Sequence, residues 1–307
     1  YFKAYALFAQ NKETEALTQL FTEKTGIQVQ YLRSATGELI NRVIAEQDSP
    51  QADVLLGGPS SLHMVAYNKG ALEKYISSEV KNFPSYTYDE NGCWTGFCVL
   101  SLGIGINTTR FSEKYPLISL PKTWDDLVNP AFNQEIVLTD PLASSTAYLF
   151  VQNQLQRLGW NSGWDYLQKL SQLVGQFPSS GGAPPKLVVT GEYTMGVAYL
   201  HALTKYVEQG FPVTIIAPPE SVGEVDAVSI IKNCKNKKNA EKFVDFMVSI
   251  EAQTLFSSMS YTIPVNPKVE NPSISLGIQD IDLLEYDDTL AASQRDSVLI
   301  KWQEIIK

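Results

Sequence analysis

Apolar residues recur along this chain in two alternating rhythms. Ala4 to Ala9 is a short extended run, and from Glu13 to Lys24 the residues Leu17, Leu20 and Phe21 return at the three- and four-residue spacing of one helical face. Gly26 stops that helix, and Ile27 to Leu32 alternates as a strand. The scheme repeats at once. Thr36 to Gln47 puts Leu39, Ile40, Val43 and Ile44 on one face, and Ala52 to Leu56 suits a strand buried on both sides. Such alternation predicts an α/β layer fold built on parallel strands.

Asn91-Gly92 marks a turn, and Cys98 to Ile106 reads as a long strand containing Gly103 and Gly105, of the kind that crosses between lobes. A short helix at Trp124 to Leu127, a strand at Ile136 to Leu138 and helices over Ser144 to Leu158 and Asn161 to Val174 follow. Pro184-Pro185 fits the first turn of another short helix. Met195 to Leu200 and Val213 to Ala217 are apolar strand runs, and Val225 to Ile231 is a second candidate crossover. Helices are predicted over Asn239 to Val248, Glu251 to Ser257 and Asp288 to Ile306, with Pro264 to Pro272 irregular. At 307 residues the chain exceeds the size at which one core keeps growing, so two lobes are expected. Two crossovers make each lobe discontinuous, residues 1–103 with 227–272 and residues 104–226 with 273–307, with a ligand cleft expected between them.

A net charge of -9 opposes nucleic acid and anionic membrane surfaces as partners. No stretch approaches the roughly 18 to 20 apolar residues of a membrane span. Because Tyr1 to Ala9 already reads as a strand, any export signal is expected to have been removed. Cys93 and Cys98, five apart on a straight strand, would stand about 17 Å apart. Three free thiols are therefore expected, Cys234 being the third.

Candidate chemistry lies in three clusters of small residues, Ser34-Ala35-Thr36-Gly37, Gly57-Gly58-Pro59-Ser60-Ser61 and Ser144-Ser145-Thr146, each of which ends a loop and opens a helix. A helix start carries unpaired N–H groups and the positive end of the macrodipole, so hydroxyls and glycines there can hold an anion without lysine or arginine. Ser and Thr are also ordinary N-caps, which gives each cluster a second, local explanation. His63 is expected at the surface or in a cap, and Tyr5, Phe8, Tyr148 and Tyr199 in the core. Glu224 and Asp226 share one side of their strand by alternation. The chain has no Gly-x-Ser-x-Gly, no Walker A loop, no His-Glu-x-x-His and no Cys-x-x-Cys, which leaves a phosphate-ester hydrolase as the enzymatic alternative without a motif.

Taken in order, Thr36-Gly37-Glu38-Leu39, Ala52 through Gly58, Gly103-Ile104-Gly105-Ile106-Asn107, Asp140-Pro141 through Tyr148, Gly191-Glu192-Tyr193 through His201, and Val228 through Lys232 resemble the exported solute-binding proteins of ATP-binding-cassette importers. The resemblance covers nearly the whole chain and falls in the branch of ferric-ion, sugar-phosphate and phosphonate binders. It implies a two-lobed periplasmic-binding-protein fold of the second topological type, a hinge that closes on ligand, a permease partner, a monomer, no cofactor, and a periplasmic or lipid-anchored location. Ferric binders of this kind use a histidine near the end of the first strand and an adjacent tyrosine pair. Here Gln10 and Asn11 stand at the first place and His201-Ala202 at the second, so iron is the alternative and an organophosphate the expected ligand. By position, Ser34, Thr36, Gly37 and Ser60 in the first lobe and Ser144, Ser145 and Thr146 in the second would hold the anionic head. His201 and Glu224 would face the remainder, with Ala202 where sugar-phosphate relatives commonly carry an aspartate.

Overall fold

The computed structural model describes residues 2–6, 11–34, 36–270 and 276–306. The chain divides into two compact units, Tyr1–Leu100 with Glu224–Gln279 and Ser101–Gly223 with Asp280–Lys307.

In the first unit, β1 (Phe2–Ala6) runs parallel to both of its neighbours, β2 (Val29–Arg33) and β3 (Val54–Pro59). The connecting helix α1 (Asn11–Thr25) follows β1, α2 (Thr36–Ala45) follows β2, and α3 (Ser60–Asn68) follows β3 without a break. Parallel strands send their successors off at one edge, so all three helices begin at the carboxyl end of the sheet. The two-residue period of the strands sorts the core. Phe2, Ala4, Val54 and Leu56 join Leu17 and Phe21 of α1 on one face, whereas Tyr5 and Leu55 join Leu39, Ile40 and Val43 of α2 on the other. Both faces are covered, as near-continuous apolar strands require. The expected strand to Ala9 is seen only to Ala6, and residues 7–10, with Phe8 and Gln10, lie outside the described residues.

A two-residue strand, β4 (Leu72–Glu73), precedes β5 (Thr95–Asn107), which begins in the first unit and ends in the second. Asn107 then caps α4 (Thr108–Lys114), its side-chain oxygen accepting from the Arg110 amide. The second unit repeats the arrangement of the first. β6 (Ile136–Val137) lies parallel to both β7 (Val174–Gln176) and β8 (Met195–Tyr199), with α5 (Ser145–Leu158) and α6 (Trp160–Leu173) between β6 and β7. α7 (Ala183–Val189) precedes β8, with Pro184 and Pro185 in its first turn, and α8 (Leu200–Glu208) follows β8 directly. The second half of β5 pairs antiparallel with β8 and with β9 (Val213–Ile216). At the amino end of this sheet, buried Glu135 accepts from Arg110 Nε at 2.8 Å, from Lys114 and from Thr194 Oγ1. That cluster ties α4 to the starts of β6 and β8.

β10 (Gly223–Ile231) pairs antiparallel with β3 from Asp226 onward. Glu224 and Asp226 consequently group with the first unit, whereas the pattern-based partition put both in the second. α9 (Lys237–Met247), α10 (Ile250–Ser260) and β11 (Ile263–Pro264) complete that unit, where Phe243 packs its ring 5.0 Å from Phe21 and 5.2 Å from Phe2. The helix expected from Asp288 to Ile306 is two, α11 (Asp288–Ser293) and α12 (Arg295–Ile305), divided at Gln294. Val298 and Trp302 are buried, while Leu290 is exposed. The stretch expected as a helix from Trp124 is a 3-10 turn over Asp125–Val128. All three cysteines are free thiols.

Candidate functional site

In the second unit, Ile136 and Val137 pair in register with Met195 and Gly196, so β6 and β8 start level and point their carboxyl ends to the same edge, β8 running three residues further. One leads into the Thr139–Ser144 turn and α5, and the other directly into α8. This edge, where strand order reverses, is where open α/β sheets place ligands. Asp140 shapes the approach to α5, its carboxylate accepting from the Leu142 amide at 2.9 Å and its carbonyl from the Ala143 and Ser144 amides at 3.0 Å.

Ser144 is the N-cap of α5 with extended φ and ψ of -136° and 129°, yet its side chain makes no capping bond. Ser145 is exposed and Thr146 half-buried in the first turn. Their hydroxyls are therefore not used up by the helix they open. Gly181 fits closely here. A Cβ on it would stand 3.0 Å from Thr146 Oγ1 and 3.1 Å from Ser144 Oγ, so a side chain there would crowd both hydroxyls and shift them by a few tenths of an ångström. Thr146 also lines a small pocket with Leu138, Thr139, Ala147, Phe150 and Val197.

His201 is the second residue of α8. Its Nδ1 is shut from solvent and has no hydrogen-bond partner, and its ring stacks on Tyr199 with centroids 5.4 Å apart and planes 28° from parallel. Burial pulls its pKa down to about 4, so the ring is neutral near pH 7. A buried polar atom without a partner is costly, and one at the ligand edge of a sheet is relieved when a ligand supplies the missing group. The position of α8 is set by Gly103 and Gly105, where added Cβ atoms would meet Leu200 Cδ2 at 2.2 Å and Leu203 Cδ2 at 2.4 Å.

In the first unit the other two clusters fare differently. The Ser34 hydroxyl donates to Glu38, so its proton is taken up in fastening the first turn of α2. Thr36 and Gly37 open α2, and their side chains lie outside the described residues. At the end of β3, Gly57 and Gly58 have φ of 85° and 77°, in the left-handed region that favours glycine. Pro59 caps α3 without a side-chain bond, and Ser60, half-buried, is the first helical residue.

Glu224 and Asp226 are two apart on β10 and close enough to interact. Burial first, then repulsion by Glu224, pushes Asp226 up to about 7 against the opposing Gly58 amide bond. His63 corrects the expectation of a surface or capping residue: it is fully buried, with Nε2 2.9 Å from the Gly57 carbonyl oxygen and Nδ1 2.7 Å from Ser229 Oγ. Gly181 and Ser229 had no local signal beyond a Ser-Ser-Gly-Gly run and a strand serine. Tyr5 and Tyr148 are core residues as expected, and Tyr199 is half-buried. Among the described residues no group of three or more His, Cys, Asp or Glu side chains could hold a metal ion.

Two α/β units with helix starts gathered at the carboxyl ends of parallel strands define the class of two-lobed binding proteins. Residues 16–278 match the family model described as bacterial extracellular solute-binding protein, and the chain belongs to that family. A Haemophilus influenzae protein of uncharacterized function is 31% identical, covering 97% of this chain and 89% of its own length. A putative 2-aminoethylphosphonate-binding periplasmic protein of Salmonella typhimurium is 26% identical, over 81% and 73%. Among solved structures, the periplasmic binding protein P5PA is 31% identical with a TM-score of 0.73, covering 100% of this chain and 99% of its own. AfuA from Actinobacillus pleuropneumoniae, with fructose-6-phosphate bound, is 27% identical with a TM-score of 0.76, over 99% and 98%. Iron-bound HitA from Pseudomonas aeruginosa, 21% identical with a TM-score of 0.79 over 98% of each chain, shares the fold.

Proposed function

We propose that this solute-binding protein captures a small organophosphate, a sugar phosphate or a phosphonate, and delivers it to the membrane permease of an ATP-binding-cassette importer. Capture is by closure of two lobes on the ligand, without chemical turnover, by a monomer in the periplasm or tethered at the outer face of the membrane. Ser144, Ser145 and Thr146, with Thr36, Gly37 and Ser60, hold the anionic head, Ser34 contributing through its lone pairs and backbone. His201 and Glu224 read the remainder.

The observation that carries this reading is the start of α5, where Ser144 makes no capping bond of its own. His201, whose buried Nδ1 lacks a partner, follows the adjacent strand. Hydroxyls and N–H groups on a positive dipole end suit a phosphorus oxyanion, and a neutral imidazole suits a hydroxyl or amine beyond it. The similarity to the phosphonate-binding relative and to AfuA with its bound fructose-6-phosphate adds support. The ferric alternative would need anionic oxygen donors where residues 201 and 202 are His and Ala.

Mass spectrometry of small molecules released from the purified protein by mild denaturation tests the assignment. The expected result is a phosphorus-containing metabolite in near-stoichiometric amount. A neutral sugar, a polyamine or ferric ion in its place would overturn it, and steady consumption of a phosphate ester followed by phosphorus NMR would overturn the binding-only reading.

A further inference from the structure

Among the threonines and glutamates of α1, two stand apart from the rest. Thr18, Thr22 and Thr25 each turn the hydroxyl back to the carbonyl oxygen four residues earlier, at 2.8, 2.8 and 2.7 Å. Glu15 accepts from the Tyr31 hydroxyl and Glu23 from the Gln19 amide. Glu13 and Thr14 are different. Glu13 is 6% exposed and Thr14 0%, yet Glu13 Oε2 and Thr14 Oγ1 are shut from solvent and have no hydrogen-bond partner. No ion pair among the described residues involves Glu13.

Both residues lie in the first turn of this 15-residue helix, which follows β1 and so begins at the carboxyl edge of the sheet, where open α/β folds take their ligands. They precede Leu17 by four and three residues and continue the stripe that Leu17 and Phe21 bury with Phe2, Val54 and Val228. The Cα–Cβ bonds of a helix tilt toward its N-terminus, so the two polar side chains are directed at the sheet edge and away from the apolar stripe behind them. A glutamate at the third helical position can fasten its own helix start through one oxygen, which still leaves Oε2 without a partner.

A carboxylate oxygen only accepts hydrogen bonds, whereas a hydroxyl both accepts and donates. The group that satisfies the two together brings more than one proton and, opposite a carboxylate out of solvent, a positive charge. A primary ammonium does so. A sugar hydroxyl brings one proton and no charge. We propose that Glu13 and Thr14 form an ammonium subsite in the first unit, so that the captured solute is a phosphorus oxyanion carrying a primary amine, of the aminoalkylphosphonate class. The phosphorus half of this statement rests on the organophosphate reading; the ammonium half rests on α1 alone.

The test is calorimetric titration of the full chain with 2-aminoethylphosphonate and with ethylphosphonate, which differ only in the amine. The native protein should bind the amine-bearing compound at least about tenfold more tightly, the worth of one charge-assisted hydrogen bond. Glu13→Gln, which keeps the size of the side chain and removes its charge, should bring the ratio of the two affinities close to one. Thr14→Val should lower the ratio severalfold, and it carries the comparison if Glu13→Gln does not fold. Equal affinity of the native protein for the two phosphonates would overturn the subsite, as would a ratio that survives these substitutions. An ordered water serving Oε2 and Oγ1 as a purely structural partner gives that result. Inorganic phosphate, titrated in parallel, separates the two halves: binding of phosphate with no preference for the amine removes the subsite and leaves the organophosphate reading standing. Binding of neither phosphonate nor phosphate overturns both.

Discussion

Gly103 on β5 packs so tightly on Leu200 of α8 that a Cβ at residue 103 would stand 2.2 Å from Leu200 Cδ2 and 2.6 Å from the Ile216 carbonyl oxygen. Gly105 meets only the flexible end of Leu203, at 2.4 Å. A side-chain tip can rotate away and a paired backbone carbonyl cannot. Gly103→Ala should therefore cost the 1–3 kcal/mol, roughly, of an overpacked core, and Gly105→Ala less. Urea unfolding of the two variants measures the difference. Because His201 follows Leu200, Gly103→Ala should also weaken ligand binding; equal costs for the two variants would contradict this account of how α8 is placed.

The uncapped start of α5 separates binding from stability. Ser249 is a working N-cap, its hydroxyl accepting from the Ala252 amide at 3.2 Å, so Ser249→Ala should cost about 1 kcal/mol of stability. Ser144→Ala should leave the melting temperature nearly unchanged, since no capping bond is lost. Charge-assisted hydrogen bonds are worth roughly 1.5 to 3 kcal/mol, so Ser145→Ala and Thr36→Ala should each lower affinity for a phosphorus oxyanion about ten- to a hundredfold. Calorimetric titration with fructose 6-phosphate reads this, and unchanged affinity in both variants would place the anion elsewhere.

Acid should act first through the histidines and then through Glu135. Burial works to raise the Glu135 pKa, but hydrogen bonds from Arg110, Lys114 and Thr194 outweigh it and hold it at about 2. Its contribution is present above the unfolded carboxylate range and is lost as pH falls toward 2, on the order of 3 kcal/mol in all. Glu135→Gln should destabilise the protein at pH 7 and flatten the acid limb below pH 4. An acid limb unaltered by that change would show that the cluster contributes little.

Between pH 4 and pH 7 two effects oppose each other. His63 and His201 sit near 4 when folded, so the unfolded chain binds more protons in this range and stability rises with pH until it levels off above the ordinary histidine value. Asp226, raised to about 7, does the reverse: the folded chain holds the extra proton, and stability falls as pH rises through 7. Asp226→Asn should steepen the rise from pH 4 to 6.5 and remove the loss near neutrality. Chemical unfolding at several pH values would expose an unaltered profile, which would contradict the raised Asp226.

The long amphipathic elements were legible to within a few residues, because Leu17 with Phe21 and Leu39 with Val43 repeat over several turns. Single-turn pieces were not. β7 has three residues and β4 two, too few to establish a period, and Gln294 divides the last helix without a glycine or proline to announce it. The helix starts at Ser60 and Ser144 could be read from hydroxyl and glycine clusters. What each does could not, since His63 is explained by Ser229, 166 residues away, and Gly181 by its approach to Thr146. Those relations exist only once the sheet has formed.

A thermal-melt screen tests the central claim most directly. A ligand that binds only the folded state adds about 2.7 kcal/mol at a hundred times its dissociation constant, enough to displace the transition by several degrees. Fructose 6-phosphate, glycerol phosphate, 2-aminoethylphosphonate and inorganic phosphate are to be compared with ferric citrate, spermidine and neutral sugars. The account predicts that only phosphorus oxyanions raise the melting temperature, and that His201→Ala diminishes the effect of the organic esters more than that of inorganic phosphate. Stabilisation by a neutral sugar, a polyamine or ferric citrate, with none from any phosphorus compound, would contradict it.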